Sequence, residues 1–244
     1  FVVVFDDVTA LVEAQRATAW AEVAKRLAHE IKNPLTPIQL AAERLQAKLS
    51  PRLEGADAQA LQRATDTIIA HVQSLKKMVD EFREYARLPA PILADLDLNA
   101  VVDDVLTLYE NTRPQVRAHL AQSLPAIKGD ASQLRQVVHN LLQNAQDACG
   151  GQPDSIIEVA TAIQDGMVVL AVRDDGVGFP EPIIRRAFEP YVTTKPRGTG
   201  LGLAIVKKIV DEHHGTVVLA NSEGRGAIVR VILPAVGTVV ARAA

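Results

Sequence analysis

The segment from His29 to Pro34 brings a nucleophile, a carboxylate and an amide together in one short stretch of chain. Apolar residues recur around it at steps of three and four, which predicts a helix with Leu27 and Ile31 on its apolar seam. On such a helix His29 lies about 200° round from Leu27 and points away from the seam. Asn33, one turn later, shares its face. The pattern therefore predicts an exposed imidazole with an amide within reach.

The residues around His29 add charge and a helix irregularity. Arg26 and Lys32 stand three residues to either side and would form positive surroundings suited to a phosphate group. Pro34 removes the hydrogen bond to the carbonyl of Glu30, so the helix should kink there. Each residue also has an ordinary interpretation: a surface histidine, a solvated charged face and a tolerated proline. Without further motifs the ordinary interpretation is preferred, although the combination is unusual.

Two amides, Asn140 and Asn144, lie one turn apart on another predicted helix, and Gln133 and Gln136 extend their polar face. The opposite face is apolar, with Val137, Val138, Leu141 and Leu142. A neutral amide oxygen is a suitable ligand for Mg²⁺ when phosphates and water complete the coordination shell. Two solvent-facing asparagines are the alternative, and this motif alone favours that alternative.

A carboxylate followed by two glycines ends a strand-like apolar run, at Asp174, Gly176 and Gly178. Glycine allows the backbone to turn sharply and to approach a flat ligand closely. A carboxylate at such a place can accept a hydrogen bond from an exocyclic amine, such as that of adenine. A turn alone would also explain the glycines.

A second glycine-rich loop runs into an apolar helix and contains Gly198, Gly200, Leu201 and Gly202. Free backbone N–H groups at a helix N-terminus favour phosphate. The loop is not a P-loop, since no Lys-Ser or Lys-Thr pair follows, and not a dinucleotide-binding fingerprint, since no strand leads into it. The polar segment Phe188–Lys195 lies between the two loops and could act as a lid.

Two long apolar patterns with heptad spacing precede these loops. They run from Ala17 to Leu49 and from Leu61 to Ala86, with Ser50-Pro51 and Gly55 between them, and predict an antiparallel helical hairpin. A hairpin cannot bury both stripes alone, so two copies should form a four-helix bundle, hence a homodimer. The alternative, packing on the second half of the same chain, suits such narrow and regular seams less well.

The second half predicts helices layered on a mixed sheet. Asn99 is expected to cap one helix, to about Asn111, and Asp130 the next, to about Ala148. The remaining runs are, in chain order, a strand at Ser155–Ile163, an Asp165-Gly166 turn, a strand at Met167–Val172, a helix from about Gly200 to His213, and strands at Thr216–Ala220 and Ala227–Leu233. The predicted fold class is α+β, a helical hairpin followed by an α/β sandwich.

Composition excludes other classes of protein. Of 244 residues, 48% are hydrophobic and 4% aromatic, which is enough for an aliphatic core. A net charge of −3 argues against a dedicated nucleic-acid binder. A single cysteine, Cys149, excludes an internal disulfide framework and a cysteine-rich zinc site. No uncharged apolar run approaches ~18 residues, so no membrane-spanning segment is predicted.

Taken in order, the motifs resemble those of the sensor histidine kinases of two-component systems. His29–Pro34 is similar to the H box, Asn140–Asn144 to the N box, Phe188–Tyr191 to the F box, and the two glycine-rich loops to the G1 and G2 boxes. One match is weak, whereas five in register identify the chain as a member of the family over about residues 10 to 234. The stretch Ala28–Leu40 looks particularly like the nitrogen-regulation kinases.

The resemblance implies that His29 takes the γ-phosphoryl group of ATP and passes it to an aspartate of a response regulator. Glu30 would act as general base or orient the ring. Because it is the next residue along the helix, its side chain would have to bend round to reach His29. Asn33 matches the position that orients water for dephosphorylation of the regulator.

For the second half, the resemblance implies an ATP-binding α/β sandwich of the GHKL (Bergerat) type. Asn144 would be the Mg²⁺ ligand, with Asn140 supporting the triphosphate. Asp174 would bind adenine, beside Gly176 and Gly178. The phosphates would lie under the lid, in a site formed by Lys195, Gly198, Gly200, Leu201 and Gly202.

The resemblance also implies an organisation and a set of partners. The end of a PAS-like sensor domain would occupy residues 1–9, a dimerisation and phosphotransfer hairpin 10–88, a linker 89–92, the ATP-binding domain 93–236 and a tail 237–244. The partners would be a second copy of the chain and a response regulator, with no nucleic acid. Because the chain starts at Phe1, we expect a cytoplasmic piece of a longer protein that is anchored in the bacterial inner membrane.

One departure from the family pattern affects the expected phosphate contacts. Asp147 stands three residues after Asn144, where many relatives carry a basic residue, so Lys195 or Arg197 is expected to supply that charge. The other histidines are expected to be ordinary surface residues: His71, His119, His139, His213 and His214.

Two alternative functions remain. One is a dimeric signalling scaffold that binds nucleotide without kinase activity. The other is an ATPase of the gyrase and Hsp90 type, which shares the nucleotide-binding boxes. The hairpin with His29 and Glu30 argues against the ATPase, and the intact Glu30, Asn144 and Asp174 argue against the scaffold.

Overall fold

A computed structural model of the chain describes residues 9–110, 112–150, 152, 154–195, 198–222 and 224–237, with the backbone alone at 9–21 and 25. The chain divides into two compact units between Pro89 and Ala90. The predicted end of a PAS-like domain lies outside the described residues except for Thr9, as does the predicted tail except for Gly237. None of the helices in the described ranges has both the length and the hydropathy of a membrane span.

The first unit is a hairpin of two long helices, α1 (Thr9–Leu49) and α2 (Gly55–Arg87), joined by a 3₁₀ turn at Ser50–Arg52. Helix α1 continues through Pro34 and Pro37. Side-chain hydrogen bonds cross between the helices at Lys32 with Asp80, Gln39 with Lys76, and Gln46 with Asp66. Partner numbers on α2 fall as those on α1 rise, which confirms the predicted antiparallel hairpin.

Each helix carries two apolar stripes, and the hairpin buries only one of them. The buried stripes repeat mainly every seven residues and consist of Ala24, Ala28, Leu35 and Ala42 on α1 and Thr65, Val72, Val79 and Ala86 on α2. Thr65 is accommodated because its hydroxyl donates to the carbonyl of Leu61 at 2.9 Å. The second apolar stripe is 41–51% exposed and consists of Leu27, Ile31, Ile38 and Leu45 on α1 and Ile68 and Leu75 on α2.

Besides a 3₁₀ turn at Thr107–Tyr109, the second unit contains eleven helices and strands in the described residues, four of them unpredicted. They are β1 (Ala94–Leu96), α3 (Leu98–Leu106), β2 (Gln115–His119), β3 (Ile127–Gly129), α4 (Ala131–Cys149), β4 (Ile156–Gln164), β5 (Met167–Asp174), α5 (Glu181–Ile184), α6 (Gly202–Glu212), β6 (Thr216–Asn221) and β7 (Ala227–Pro234). The main sheet has the order β2-β4-β5-β7-β6, while β1 pairs with β3. Only β2 and β4 pair in parallel within the main sheet, so the predicted mixed sheet is confirmed. The four unpredicted elements are β1, β2, β3 and the short helix α5. The three strands were missed because three to five residues do not establish a period of two.

The register of the main sheet aligns its apolar residues on one face. Val172 on β5 lies opposite Val159 on β4 and Val229 on β7, and all three are buried. This face contacts α4 through β5. Because side chains alternate along a strand, the same face of β5 includes Val168, Leu170 and Asp174. The strand itself therefore places Asp174 on the buried side.

The helix caps agree with the sequence prediction for α4 and differ for α3. Asp130 caps α4 as expected, since its carboxylate accepts from the N–H groups of Ser132 at 2.9 Å and Gln133 at 3.2 Å. Asn99 is not a cap. Asp97 caps α3 instead and accepts the N–H of Asn99 at 2.9 Å. The side chain of Asn99 accepts a hydrogen bond from a hydroxyl on β4, so it joins α3 to the sheet.

The prediction that His213 is a surface residue is wrong. The residue follows α6 and is 1% exposed, whereas the other four histidines named above are exposed. Its Nε2 accepts the backbone N–H of Asp130 at 2.9 Å, and its Nδ1 donates to the carbonyl of Ile209 at 2.8 Å. Because Nε2 accepts, the proton lies on Nδ1. A neutral imidazole thus links the start of α4 to the end of α6.

Replacing His213 with leucine should lower the free energy of unfolding by about 1–3 kcal/mol, because the N–H of Asp130 loses its acceptor. Urea unfolding followed by circular dichroism measures the change. His119→Leu, at an exposed position on β2, is the matched control and should stay within about 0.5 kcal/mol of the unsubstituted chain. Equal stability of the two variants would contradict the role given to His213.

Candidate functional site

The first unit presents His29, Glu30 and Asn33 on the exposed surface of α1. The carboxylate of Glu30 is turned toward Arg26, one turn earlier, with 2.9 Å between Oε1 and Nε. His29 itself is open to solvent, as the helical pattern predicts. The histidine and the amide one turn later therefore share a face that a second molecule can reach.

The positive surroundings expected around His29 are neutralised by acidic partners. Lys32 Nζ forms an ion pair with Asp80 Oδ1 on α2, and Asp80 also lies 3.6 Å from the guanidinium of Arg83. Arg26 is likewise paired with a carboxylate. Both cations that flank His29 would have to change partners to bind a phosphate group.

In the second unit, Asp174 ends β5 and is 7% exposed. Its Oδ1 accepts the N–H of Gly176 at 2.8 Å, and the backbone N–H of Ala227 also bonds to the carboxylate. Burial raises the pKa of Asp174 above its ordinary value, against the opposing effect of these two N–H groups. A buried carboxylate of this kind is suited to accept a hydrogen bond from a ligand amine.

Gly176 permits a close approach between the loop after β5 and the end of α4. A Cβ at this position would lie 2.6 Å from the carbonyl carbon and oxygen of Ala148. The next residue, Val177, donates its N–H to the same carbonyl at 3.3 Å. A larger residue could not fit without displacing α4, so the loop and the helix fix each other's position.

Asn221, which the sequence analysis missed, supports the rest of this loop. Its Oδ1 accepts the N–H of Phe179 and its Nδ2 donates to the carbonyl of Phe179, both at 2.8 Å. Gly178 lies beside the Asn221 amide. One signal was available in the sequence. The side-chain amide of an asparagine at the end of a strand carries a donor and an acceptor, so it can pair with both the N–H and the C=O of a single residue.

Asn140 and Asn144 lie one turn apart on α4. The Nδ2 of each is buried and has no hydrogen-bond partner among the described residues. Asn144 Oδ1 accepts from Lys195 Nζ at 3.2 Å. Unpartnered amide nitrogens can donate to an anionic ligand, and the oxygen of Asn144 already contacts a positive charge.

Lys195 also contacts Asp147, with 2.9 Å between Nζ and Oδ2. Gly198 lies close to Lys195 and to Thr193. Arg197, the other cation expected in this segment, lies outside the described residues. Among the described residues, Lys195 therefore lies beside Asp147, and its predicted contact with phosphate stays a prediction.

The second glycine-rich loop contacts the segment after α5 and the face of α4. Gly200 has φ +70°, and a Cβ there would lie 2.6 Å from the carbonyl carbon of Tyr191, whose N–H donates to the Gly200 carbonyl at 3.1 Å. Gly202 begins α6, and a Cβ there would lie 3.4 Å from Asn144 Nδ2. Leu201, between them, is fully buried. The loop thus places the start of α6 beside the Asn144 amide.

Three segments of the second unit therefore meet the last three turns of α4: the loop after β5, the segment at Lys195 and the start of α6. Together with α4 they combine a buried carboxylate, two amides, a lysine and a helix N-terminus. This surface can therefore bind a ligand that carries both an amine and phosphate groups, together with a cation. His29, Glu30 and Asn33 belong to the other unit.

Two family models match the chain. The model of the His Kinase A (phospho-acceptor) domain matches residues 19–91. The model of the histidine kinase-, DNA gyrase B- and HSP90-like ATPases matches residues 129–237. The first match contains His29, and the second contains α4 and the three segments that meet it.

The curated relatives include the nitrogen regulation protein NtrY of Azorhizobium caulinodans, which is 41% identical over 97% of this chain and 32% of the relative. The putative sensor histidine kinase NtrY-like of Rickettsia conorii is 41% identical over 91% of this chain and 37% of the relative. The chain spans about a third of the length of these curated relatives.

Solved structures of histidine kinases are similar to both units. Histidine kinase ThkA in complex with response regulator protein TrrA matches with a TM-score of 0.64 and 26% identity, over 94% of this chain and 68% of that one. Full-length ShkA in complex with AMPPNP matches with a TM-score of 0.63 and 25% identity, over 88% of this chain and 46% of that one.

The raised pKa of Asp174 should make stability depend on pH. The folded chain binds this proton more tightly than the unfolded chain, so the contribution of Asp174 to the unfolding free energy falls as pH rises from about 4 through the raised pKa. Asp174→Asn cannot titrate and should lack that decrease, whereas Asp165→Asn, at the exposed β4–β5 turn, should keep it. Urea unfolding across this pH range measures the difference. Identical profiles for all three proteins would contradict this account.

Proposed function

The chain belongs to the sensor histidine kinases, and we propose that it transfers the γ-phosphoryl group of ATP to His29 and from there to an aspartate of a response regulator. One combination carries this proposal: an exposed histidine on a helical hairpin, in the same chain as a surface of amides, a buried carboxylate and a glycine-rich loop. The NtrY-type relatives favour a role in nitrogen-related signalling.

The second unit would bind ATP along α4. Asp174 would accept a hydrogen bond from the adenine amine, and Gly176 keeps that carboxylate close to the helix. The Nδ2 of Asn140 and the backbone N–H groups at the start of α6 would donate to phosphate oxygens. The AMPPNP complex of ShkA supports ATP as the ligand.

Asn144 is the residue that fits a divalent cation. Its amide oxygen already accepts from an ammonium group, so it faces a position where positive charge is held. We propose that this oxygen binds Mg²⁺, with phosphates and water as the other ligands. Mg²⁺ bound there supplies neutralisation of the negative charge on the phosphates.

At His29, a ring nitrogen would use its lone pair to form the bond to the γ-phosphorus. The bond from that phosphorus to the bridging oxygen breaks, and ADP leaves with the electron pair. The remaining ring proton would pass to Glu30, the candidate base. Glu30 first has to leave Arg26, because its carboxylate is paired there.

The same helix would also serve the hydrolysis that removes the phosphoryl group from the regulator as inorganic phosphate. Asn33 lies one turn after His29 on the exposed face, where its amide would orient a water molecule for dephosphorylation. The complex of ThkA with TrrA supports a response regulator as the partner.

The described units would act on the cytoplasmic side, as part of a longer protein anchored in the bacterial inner membrane.

The second apolar stripe supports a homodimer. Its aliphatic residues are 41–51% exposed, and burial against a second copy would remove them from water. Two hairpins would then form a four-helix bundle. The alternative function, a dimeric scaffold that binds nucleotide but does not phosphorylate, has the same site and the same dimer and differs only in the reaction at His29.

Incubation of the chain with γ-labelled ATP and Mg²⁺ should give an acid-labile, alkali-stable label on the protein. His29→Gln should abolish the label and still bind ATP, because the two residue sets lie in different units. His71→Gln, at an exposed histidine on α2, is the control and should label fully. Unlabelled protein that binds ATP would favour the scaffold instead.

Ile38→Glu should weaken dimerisation by about 3 kcal/mol or more, because closing the bundle would bury an unpaired charge. Sedimentation equilibrium should therefore show monomers where the unsubstituted chain is dimeric. Ile92→Glu, at a residue of the second unit that is 82% exposed, is the control and should leave the dimer intact. A monomeric unsubstituted chain would refute the role given to the second apolar stripe.

A further inference from the structure

We infer that Asp147 is a positioning residue that holds the ammonium of Lys195 on the amide oxygen of Asn144, so that Lys195 and a divalent cation compete for this oxygen. The inference rests on the nucleotide site proposed above. In this inference, the ammonium of Lys195 occupies the place beside Asn144 Oδ1 until a divalent cation displaces it.

A single ammonium group joins the two α4 residues. Lys195 Nζ lies 3.2 Å from Asn144 Oδ1 and 2.9 Å from Asp147 Oδ2. The two acceptors are three residues apart, so they share one face of α4. An amide oxygen beside a carboxylate oxygen is also an environment that Mg²⁺ prefers. Lys195 therefore occupies a place where a divalent cation could bind.

The carboxylate of Asp147 is itself held in position. Its Oδ1 accepts from the side-chain amide of Gln143 at 3.3 Å, and its Oδ2 accepts from Lys195. The side chains of Lys195 and Asp147 are 34% and 42% exposed, and pairs with such exposure contribute little to stability. The contact therefore sets the position of the Lys195 side chain and has little effect on folding of the unit.

Charge explains why the two cations would exclude one another. An ammonium group and a divalent cation cannot both contact Asn144 Oδ1 at short range, because like charges repel in a partly buried site. When the divalent cation binds, Lys195 is released from Asn144, while Asp147 faces the new cation. Without Asp147, only the longer hydrogen bond to Asn144 itself, at 3.2 Å, would hold the Lys195 ammonium there.

The test measures the free Mg²⁺ concentration that gives half-maximal binding of AMPPNP to the full chain, by equilibrium dialysis from EDTA to excess Mg²⁺. Lys195→Met should lower this concentration by about two- to fivefold, because the competing ammonium is removed. Lys195→Arg keeps the charge and should stay near the unsubstituted value. Lys128→Met breaks a similar exposed pair, 2.8 Å from Asp95, and should change nothing.

The decisive comparison repeats Lys195→Met in an Asp147→Asn background, where its effect should fall below about twofold because the lysine is held less firmly on Asn144. An equal effect in both backgrounds would overturn the inference, since it would show a general charge effect. No effect in either background would overturn it too.

Two controls keep the experiment interpretable. Circular dichroism confirms folding of each variant, and Lys195→Gln serves as a second neutral substitution. Failure of the unsubstituted chain to bind AMPPNP at all would overturn the proposed function together with this inference. Binding without coupling between Lys195 and Asp147 would overturn this inference alone.

Discussion

A backbone contact between Gly176 and Ala148 holds the functional surface of the second unit together. A Cβ at Gly176 would lie 2.6 Å from the Ala148 carbonyl, so the contact exists only because this residue has no side chain. Through it, the strand that ends in Asp174 is fixed against the helix that carries Asn144. The contact therefore helps to set where the buried carboxylate lies relative to the amides on α4.

The hairpin carries two apolar stripes, one buried and one exposed, and they differ in residue size. Within the hairpin, α1 contributes mainly small residues such as Ala28 and Ala42, which allow α2 to approach closely. Larger aliphatic residues, including Ile31 and Ile38, stay on the exposed stripe. His29 belongs to neither stripe, which explains why it is open to solvent although it follows a buried alanine.

In both units, the cations near the proposed reacting groups are paired with carboxylates. The ion pairs are Arg26 with Glu30, Lys32 with Asp80, and Lys195 with Asp147. All are at least partly exposed, so each contributes little to folding stability and can exchange its carboxylate for another anion. A phosphate group, which carries more charge than a carboxylate, is the kind of anion that could compete for them. We therefore attribute to these pairs a role in ligand binding rather than in folding stability.

The sequence by itself determined the features that depend on local periodicity. Heptad spacing predicted the hairpin, Asp130 was identified as a cap, and the Asp165-Gly166 turn has both residues at positive φ. The motif residues of the candidate site could also be named from their spacing. Only the tertiary structure decided the burial of His213 and the contacts Asn221–Phe179, Lys195–Asp147 and Asn99–Thr161. Local patterns specify which face of an element is apolar, whereas the partner of a polar group is set by stacking of elements distant in sequence, as when His213 meets Asp130.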